Sequence, residues 1–238
     1  MKKIFIKLAK LLGYEIIDQN KFSSPTLEKE LNDDLSTFGQ KSIILPLGEV
    51  KITRKINSLL IVVRMNTDIE IWDQNKKRLF EEPKIEYTIR SINSLINSIK
   101  FCQNKYPNLN IKTLIIDDNS NEKNLEKIKE IIGDKNIEIL PLNHNKYKTI
   151  ITEQKTKETY SNLASLMQSF EIGKNKGDDL IFFVEDDYLH FEPMLEEMVA
   201  SYERLSSQIG KDLFMCPSDY PYLYMTNEKS NILIGNKR

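Results

Sequence analysis

The chain has 238 residues, 40% hydrophobic and 29% charged, which suits one large soluble domain or a domain with an N-terminal extension. Its 34 basic and 35 acidic side chains nearly cancel, so no global field favours nucleic acid as a partner. No apolar run reaches the roughly 20 residues of a membrane-spanning helix, and the two cysteines, Cys102 and Cys216, stand outside any metal-ligand spacing and fit a reducing cytoplasm.

Taken in chain order, residues 2–13 place Ile4, Phe5, Leu8, Leu11 and Leu12 at helical spacing, with lysines around the rest of the turn and Gly13 as a stop. Such a helix could lie peripherally on an anionic membrane surface at the cytoplasmic face, or dock on the domain or on a partner. No small-residue cleavage site follows it, so it does not read as a signal peptide. Residues 18–40 read as a polar linker with a helical patch near 26–36, and residues 42–54 as a strand, a turn at Leu47-Gly48 and a second strand. Together residues 1–55 form an expected N-terminal extension.

From Ser58 the pattern becomes regular. Buried strands are expected at Leu59–Val63, Ile111–Ile116, Ile137–Leu140 and Leu180–Val184, each a short apolar, β-branched run. Helices are expected at Tyr87–Phe101, Asn124–Ile132, Tyr160–Gly173 and 193–206. Strands separated by helices of this length predict an α/β fold, a mostly parallel sheet flanked by helices.

In such sheets ligands bind beyond the carboxyl ends of the strands. Those ends carry Arg64-Met65-Asn66, Asp117-Asp118-Asn119-Ser120, Asn143-His144-Asn145 and Glu185-Asp186-Asp187. One such cluster could be turn chemistry, but four on one edge suggest a site. The triplet Glu185-Asp186-Asp187 is the sharpest, because three adjacent carboxylates repel one another and a hard cation, Mg²⁺ or Mn²⁺, would relieve that. By itself the triplet also reads as an acidic turn favouring the N-terminus of the helix that follows Pro193. Asp117-Asp118 also reads as an Asx turn with Ser120 opening the next helix.

Residues 58–224 resemble a family 2-type glycosyltransferase of the GT-A fold. Leu114-Ile115-Ile116-Asp117-Asp118-Asn119-Ser120 is similar to that family's hydrophobic run followed by DDxS, and Phe182-Phe183-Val184-Glu185-Asp186-Asp187 resembles its metal-binding D-x-D segment in an acidic form. Arg64-Met65-Asn66 and the helix with Ser94-Leu95 match the family's first two elements. The resemblance implies a Rossmann-like domain over residues 56–238 that transfers a sugar from a nucleotide-diphosphate donor to a glycan or lipid-linked acceptor. It places Asp118 on the nucleobase, Asp117 beside it or on the ribose, and Arg64 and Asn66 in the nucleotide site. Glu185 and Asp187 take the two metal positions for Mn²⁺ or Mg²⁺, and Asp186 contacts the ribose or, through water, the metal.

The family's proton-accepting carboxylate lies beyond the D-x-D strand, where Asp219 is the candidate, and the acceptor half is expected to be truncated. Around this core, His144 could touch the donor or be a solvated loop histidine, and His190 could add a metal ligand or simply precede a helix. Asn162 and Ser165 could face the donor sugar. The tyrosines of Pro217–Tyr224 could form an acceptor platform or pack on the core. Two other readings share the pattern: a phosphoryl-transfer α/β protein, and a nucleotide-sugar-binding fragment without turnover. The first is disfavoured because Glu185 stands where a phosphatase needs a nucleophilic aspartate.

Overall fold

The computed structural model describes residues 7–9, 11–12, 50–68, 82–133, 135–152 and 156–215. Residues 56–196 make one compact unit, and the described residues on either side of them belong to a second.

In the larger unit the apolar runs become four parallel strands: β1 (Ser58–Met65), β2 (Asn110–Asp117), β3 (Ile137–Pro141) and β4 (Leu180–Glu185), in the spatial order β3-β2-β1-β4. The helices between them are α1 (Lys84–Lys105), α2 (Glu122–Ile132) and α3 (Lys157–Lys176), and α4 (Met194–Ile209) follows β4. Every expected strand and helix of this region is present, each a little longer than its apolar pattern. A short 3₁₀ helix at His144–Tyr147 was not foreseen. The fold is α/β, as the alternation predicts.

The strand order fixes the layers. The chain steps outward from β1 through β2 to β3, then returns to the far side of β1 for β4. Right-handed crossovers put α1 and α2 on one face, where they pack together, and α3 on the other, lying over β1 and β2. Central strand β1 is covered on both sides, which is why Leu59–Val63 are a continuous apolar run only 0–4% exposed. Each such side chain contributes about 1.5–3 kcal/mol of burial. Even-numbered residues of β1 and β2 (Leu60, Val62, Leu114, Ile116) pack with Tyr147 and Ala164 on the α3 side. Their odd-numbered neighbours point to the α1–α2 side, since successive strand residues alternate faces.

Local capping matches the sequence. Asn121 accepts from the Asn124 amide at the start of α2 (2.9 Å) and Thr156 from the Thr159 amide at the start of α3 (3.1 Å). Helix α3 ends where the Gly177 amide bonds the Gly173 carbonyl, and a Cβ at Gly177 would sit 2.7 Å from that oxygen and from the Ile181 side chain. Gly177→Ala is therefore expected to lower stability by about 1–3 kcal/mol, read from the urea midpoint. Cys102 on α1 is fully buried and free, and burial raises its thiol to about 11, leaving it unreactive at neutral pH.

In the second unit, Thr53 and Arg54 donate their amides to Ser207 Oγ (3.0 and 2.9 Å), while Arg54 Nε and the Tyr202 hydroxyl both reach Asp212 Oδ1 (3.1 and 2.9 Å). Residues 50–54 form no strand, contrary to the expected hairpin, because these amides are committed to a serine side chain instead of a neighbouring strand. The rest of that hairpin and the 26–36 patch lie outside the described residues. Of the N-terminal helix, residues 7–9 and 11 are helical, with Leu8, Leu11 and Leu12 exposed. Among the described residues, no helix is long and apolar enough to cross a membrane.

Candidate functional site

The strand order reverses between β1 and β4, which makes their boundary a topological switch point, the place where open parallel sheets form a crevice at their carboxyl edge. Register brings Arg64 level with Glu185 across β1–β4, and Met65 level with Asp117 across β1–β2. All four polar strand ends therefore share one edge, and the pleat then divides them between its two sides.

On the α3 side stand Arg64, Asp118 and Glu185. The Arg64 guanidinium pairs with Glu185 and donates to Asn162 Oδ1 at 2.7 Å, with Ser165 Oγ at 3.3 Å. Asn162 and Ser165, expected to face a donor sugar, thus hold Arg64 in place. Asp118 is 9% exposed. Its Oδ2 accepts from the Ser161 hydroxyl and from Asn66 Nδ2 (3.3 Å), and its Oδ1 lies 2.9 Å from His144 Nε2.

On the α1 side stand Asp186 and Asp117. Asp186 is 5% exposed, and both its oxygens are taken: Lys84 Nζ donates to Oδ1 at 2.8 Å, and Thr88 Oγ1 (2.8 Å) and the Asn66 amide (3.2 Å) donate to Oδ2. Burial raises its carboxyl while Lys84 and Thr88 pull it down, and burial is the larger effect. Asp117 accepts from the Ser120 amide in an Asx turn (3.4 Å), and burial raises it despite that bond. The turn reading of Asp117 is the one its contacts express.

The acidic triplet therefore does not converge on one point. Glu185 and Asp186 are consecutive at the end of a strand, so they leave on opposite faces: one meets Arg64 and the other Lys84. Asp186, expected at the ribose or the metal, is instead the buried partner of the first residue of α1. Asp187 is half-exposed, with Lys84 Nζ, at 3.2 Å, against it among the described residues. Glu185 is similarly half-exposed. Among the described residues no three His, Cys, Asp or Glu side chains form a metal-holding group. Glu185 and Asp187, each half-exposed and each facing a cation of its own, fall short by themselves of the oxygen ligand set a hard cation takes.

His190 takes no part in that set. Its amide bonds Ser94 Oγ (3.0 Å), its Nε2 is buried without a partner among the described residues, and burial lowers the imidazole to about 4. The folded protein keeps it neutral where the unfolded chain, near 6.5, already binds a proton. Stability linked to His190 is therefore present above pH 6.5 and lost as pH falls toward 4, by up to about 3 kcal/mol. Urea midpoints across that range should fall more steeply for the native chain than for His190→Gln.

Lys84, Thr88 and Ser161 were missed from the sequence, although a signal existed for the first two. The opening turn of a helix that follows β1 must begin near the carboxyl edge. Asp219 and the segment Pro217–Tyr224 lie outside the described residues. Set against known protein families, curated proteins and solved structures, the chain matches none.

Proposed function

We infer that this chain is a metal-dependent glycosyltransferase of GT-A type, binding a nucleotide-diphosphate sugar at the β1/β4 switch point and passing the sugar to a glycan or lipid-linked acceptor. The observation that carries the reading is the ion pair, across that switch point, of a held guanidinium at Arg64 with the half-exposed carboxylate Glu185, two residues before the half-exposed Asp187, whose partner is Lys84. An anion-binding group and a cation-binding group stand side by side, which is the complementarity a metal–diphosphate unit requires.

In this reading Asp187 is the principal metal ligand and Glu185 the second, the remaining ligands being diphosphate oxygens and water. The ion, Mn²⁺ or Mg²⁺, would offset the charge that develops on the departing diphosphate. Arg64 orients the donor, with Asn162, Ser165 and Glu185 fixing its fork. Asp118 and Asn66 belong to the nucleoside end, next to β2. Asp186 and Lys84 hold the end of β4 against α1, so that Asp187 is presented from a rigid support. Asp219 is the proposed acceptor-activating carboxylate.

A thermal-shift screen of UDP-, GDP- and CMP-sugars with and without Mn²⁺ tests the reading. A stabilisation that requires both the diphosphate sugar and the metal supports it. Absence of any shift, together with an unchanged profile for Asp187→Ala, removes it.

A further inference from the structure

Three strand ends meet at Asn66. Its backbone amide donates to Asp186 Oδ2 on the α1 side (3.2 Å), and its Nδ2 donates to Asp118 Oδ2 on the α3 side (3.3 Å). The residue that leaves β1 thus holds the acids that leave β2 and β4, on opposite faces of the sheet.

Both contacts are long for hydrogen bonds of this kind, so neither would keep Asn66 in place unaided. The turn that carries it is fastened elsewhere. The Asp68 amide donates to Asn66 Oδ1 (3.1 Å), closing an Asx turn, and the Thr67 amide donates to Ser120 Oγ (3.1 Å). The Asp68 carboxylate then collects donors from the start of α2. Its Oδ2 accepts from the Asn121 amide (2.6 Å), and its Oδ1 accepts from Asn121 Nδ2 and from Asn124 Nδ2 (3.0 Å). The Thr67 hydroxyl, 3.3 Å from Oδ2, adds a fourth donor.

Hydrogen bonds to an ionised carboxylate are roughly twice as strong as neutral ones, so Asp68 is the main fastening between the turn after β1 and the turn after β2. Helix α2 does not need it as a cap, because Asn121 Oδ1 already accepts from the Asn124 amide (2.9 Å). What Asp68 adds is the position of the turn that carries Asn66.

We propose that Asp68 is a positioning residue for ligand binding at the carboxyl edge: it ties the turn after β1 to the entry of α2, and so holds Asn66 where Asn66 sets Asp118 and Asp186. The proposal rests on the nucleotide-sugar reading above and adds to it a residue that acts through Asn66.

The polarity of the Asp68–Asn121 contact makes the test specific. In Asp68→Asn an oxygen becomes an NH₂ facing the donors of Asn121, and in Asn121→Asp two carboxylates face each other. Combining the two exchanges donor for acceptor across the same contact, and the new aspartate at 121 still accepts from the Asn124 amide.

Hydrogen exchange of the Asn66 amide reads the position of the turn, and calorimetry with UDP and GDP in the presence of Mn²⁺ reads its effect on binding. In Asp68→Ala and in both single exchanges, Asn66 should exchange about tenfold faster or more, while Leu114 and Ile115 in β2 keep their native rates. Nucleotide affinity should fall by about tenfold in the same three variants. The double variant should recover both quantities to within about threefold. A native exchange rate for Asn66 in Asp68→Ala, unchanged nucleotide affinity in that variant, or a double variant no better than the singles overturns the proposal and leaves the nucleotide-sugar reading intact. If the native chain binds neither nucleotide, both fall.

Discussion

Replacing Lys84 by Met is expected to cost the fold about 3–5 kcal/mol, the penalty for leaving a buried carboxylate without its cation. Asp186 keeps the Thr88 hydroxyl and the Asn66 amide, but neither neutralises a charge that is 5% exposed. The dependence on pH has a definite sign. Burial already raises Asp186, and losing Lys84 raises it further, so the folded variant takes up a proton where the unfolded chain is still ionised. The deficit is therefore largest at neutral and alkaline pH and shrinks as pH falls toward the ordinary carboxylate range. Changing Asp186 to Asn in the same chain removes the orphaned charge while keeping an acceptor for Thr88, and should restore a large part of the loss. Urea unfolding of the native protein, both single variants and the double variant forms the cycle that checks this. A variant Lys84→Met as stable as the native protein at pH 7.5 would show that Asp186 is not held as an ion pair.

Asp187→Ala should behave in the opposite way. Its carboxylate is half-exposed, and Lys84 retains Asp186, so stability should move by less than about 0.5 kcal/mol. Affinity for a nucleotide-diphosphate sugar in the presence of Mn²⁺ should fall by about 100-fold or more, by calorimetry, because on the proposed reading a direct metal ligand is lost where even outer-shell partners are worth 10–100-fold. Without metal, the native protein and the variant should bind equally weakly. The two acids are neighbours in sequence, yet on the proposed reading one governs folding and the other ligand binding. If Asp186→Asn lost metal-dependent affinity and Asp187→Ala did not, the roles would be reversed.

Much of the fold was legible because the pattern is strong. The apolar runs at Leu59–Val63 and Ile111–Ile116 can only be strands covered on both faces, and the helical spacing of Ile89, Ile92, Leu95, Ile96 and Ile99 defines α1. The carboxyl-edge rule then found Arg64, Asp118 and the acidic triplet without any coordinates. What it missed is the division of the triplet. The period-2 alternation that identifies a strand also sends Glu185 and Asp186 to opposite sides, so that part was available from the sequence.

For Lys84 the only signal was its place in the opening turn of the helix after β1, since it meets Asp186 only after the chain has closed the sheet. His144 was named as a candidate, but its contact with Asp118 was hidden for another reason. The polar stretch around it reads as a loop, and nothing local announces that Tyr147 buries completely and carries the histidine into contact with Asp118. The N-terminal contribution of residues 50–54 was misjudged because Ser207, far along the chain, supplies the bonds that a strand partner would have.

In the proposed reading a metal–diphosphate unit sits at the carboxyl edge between β1 and β4. Paramagnetic broadening by Mn²⁺ in amide NMR spectra, recorded with and without UDP, tests it most directly. The account predicts that Mn²⁺ with UDP selectively bleaches the amides of Glu185, Asp187 and Arg64, and that Mn²⁺ alone bleaches them far less. Broadening centred elsewhere on the chain, or the same pattern with and without UDP, would contradict it.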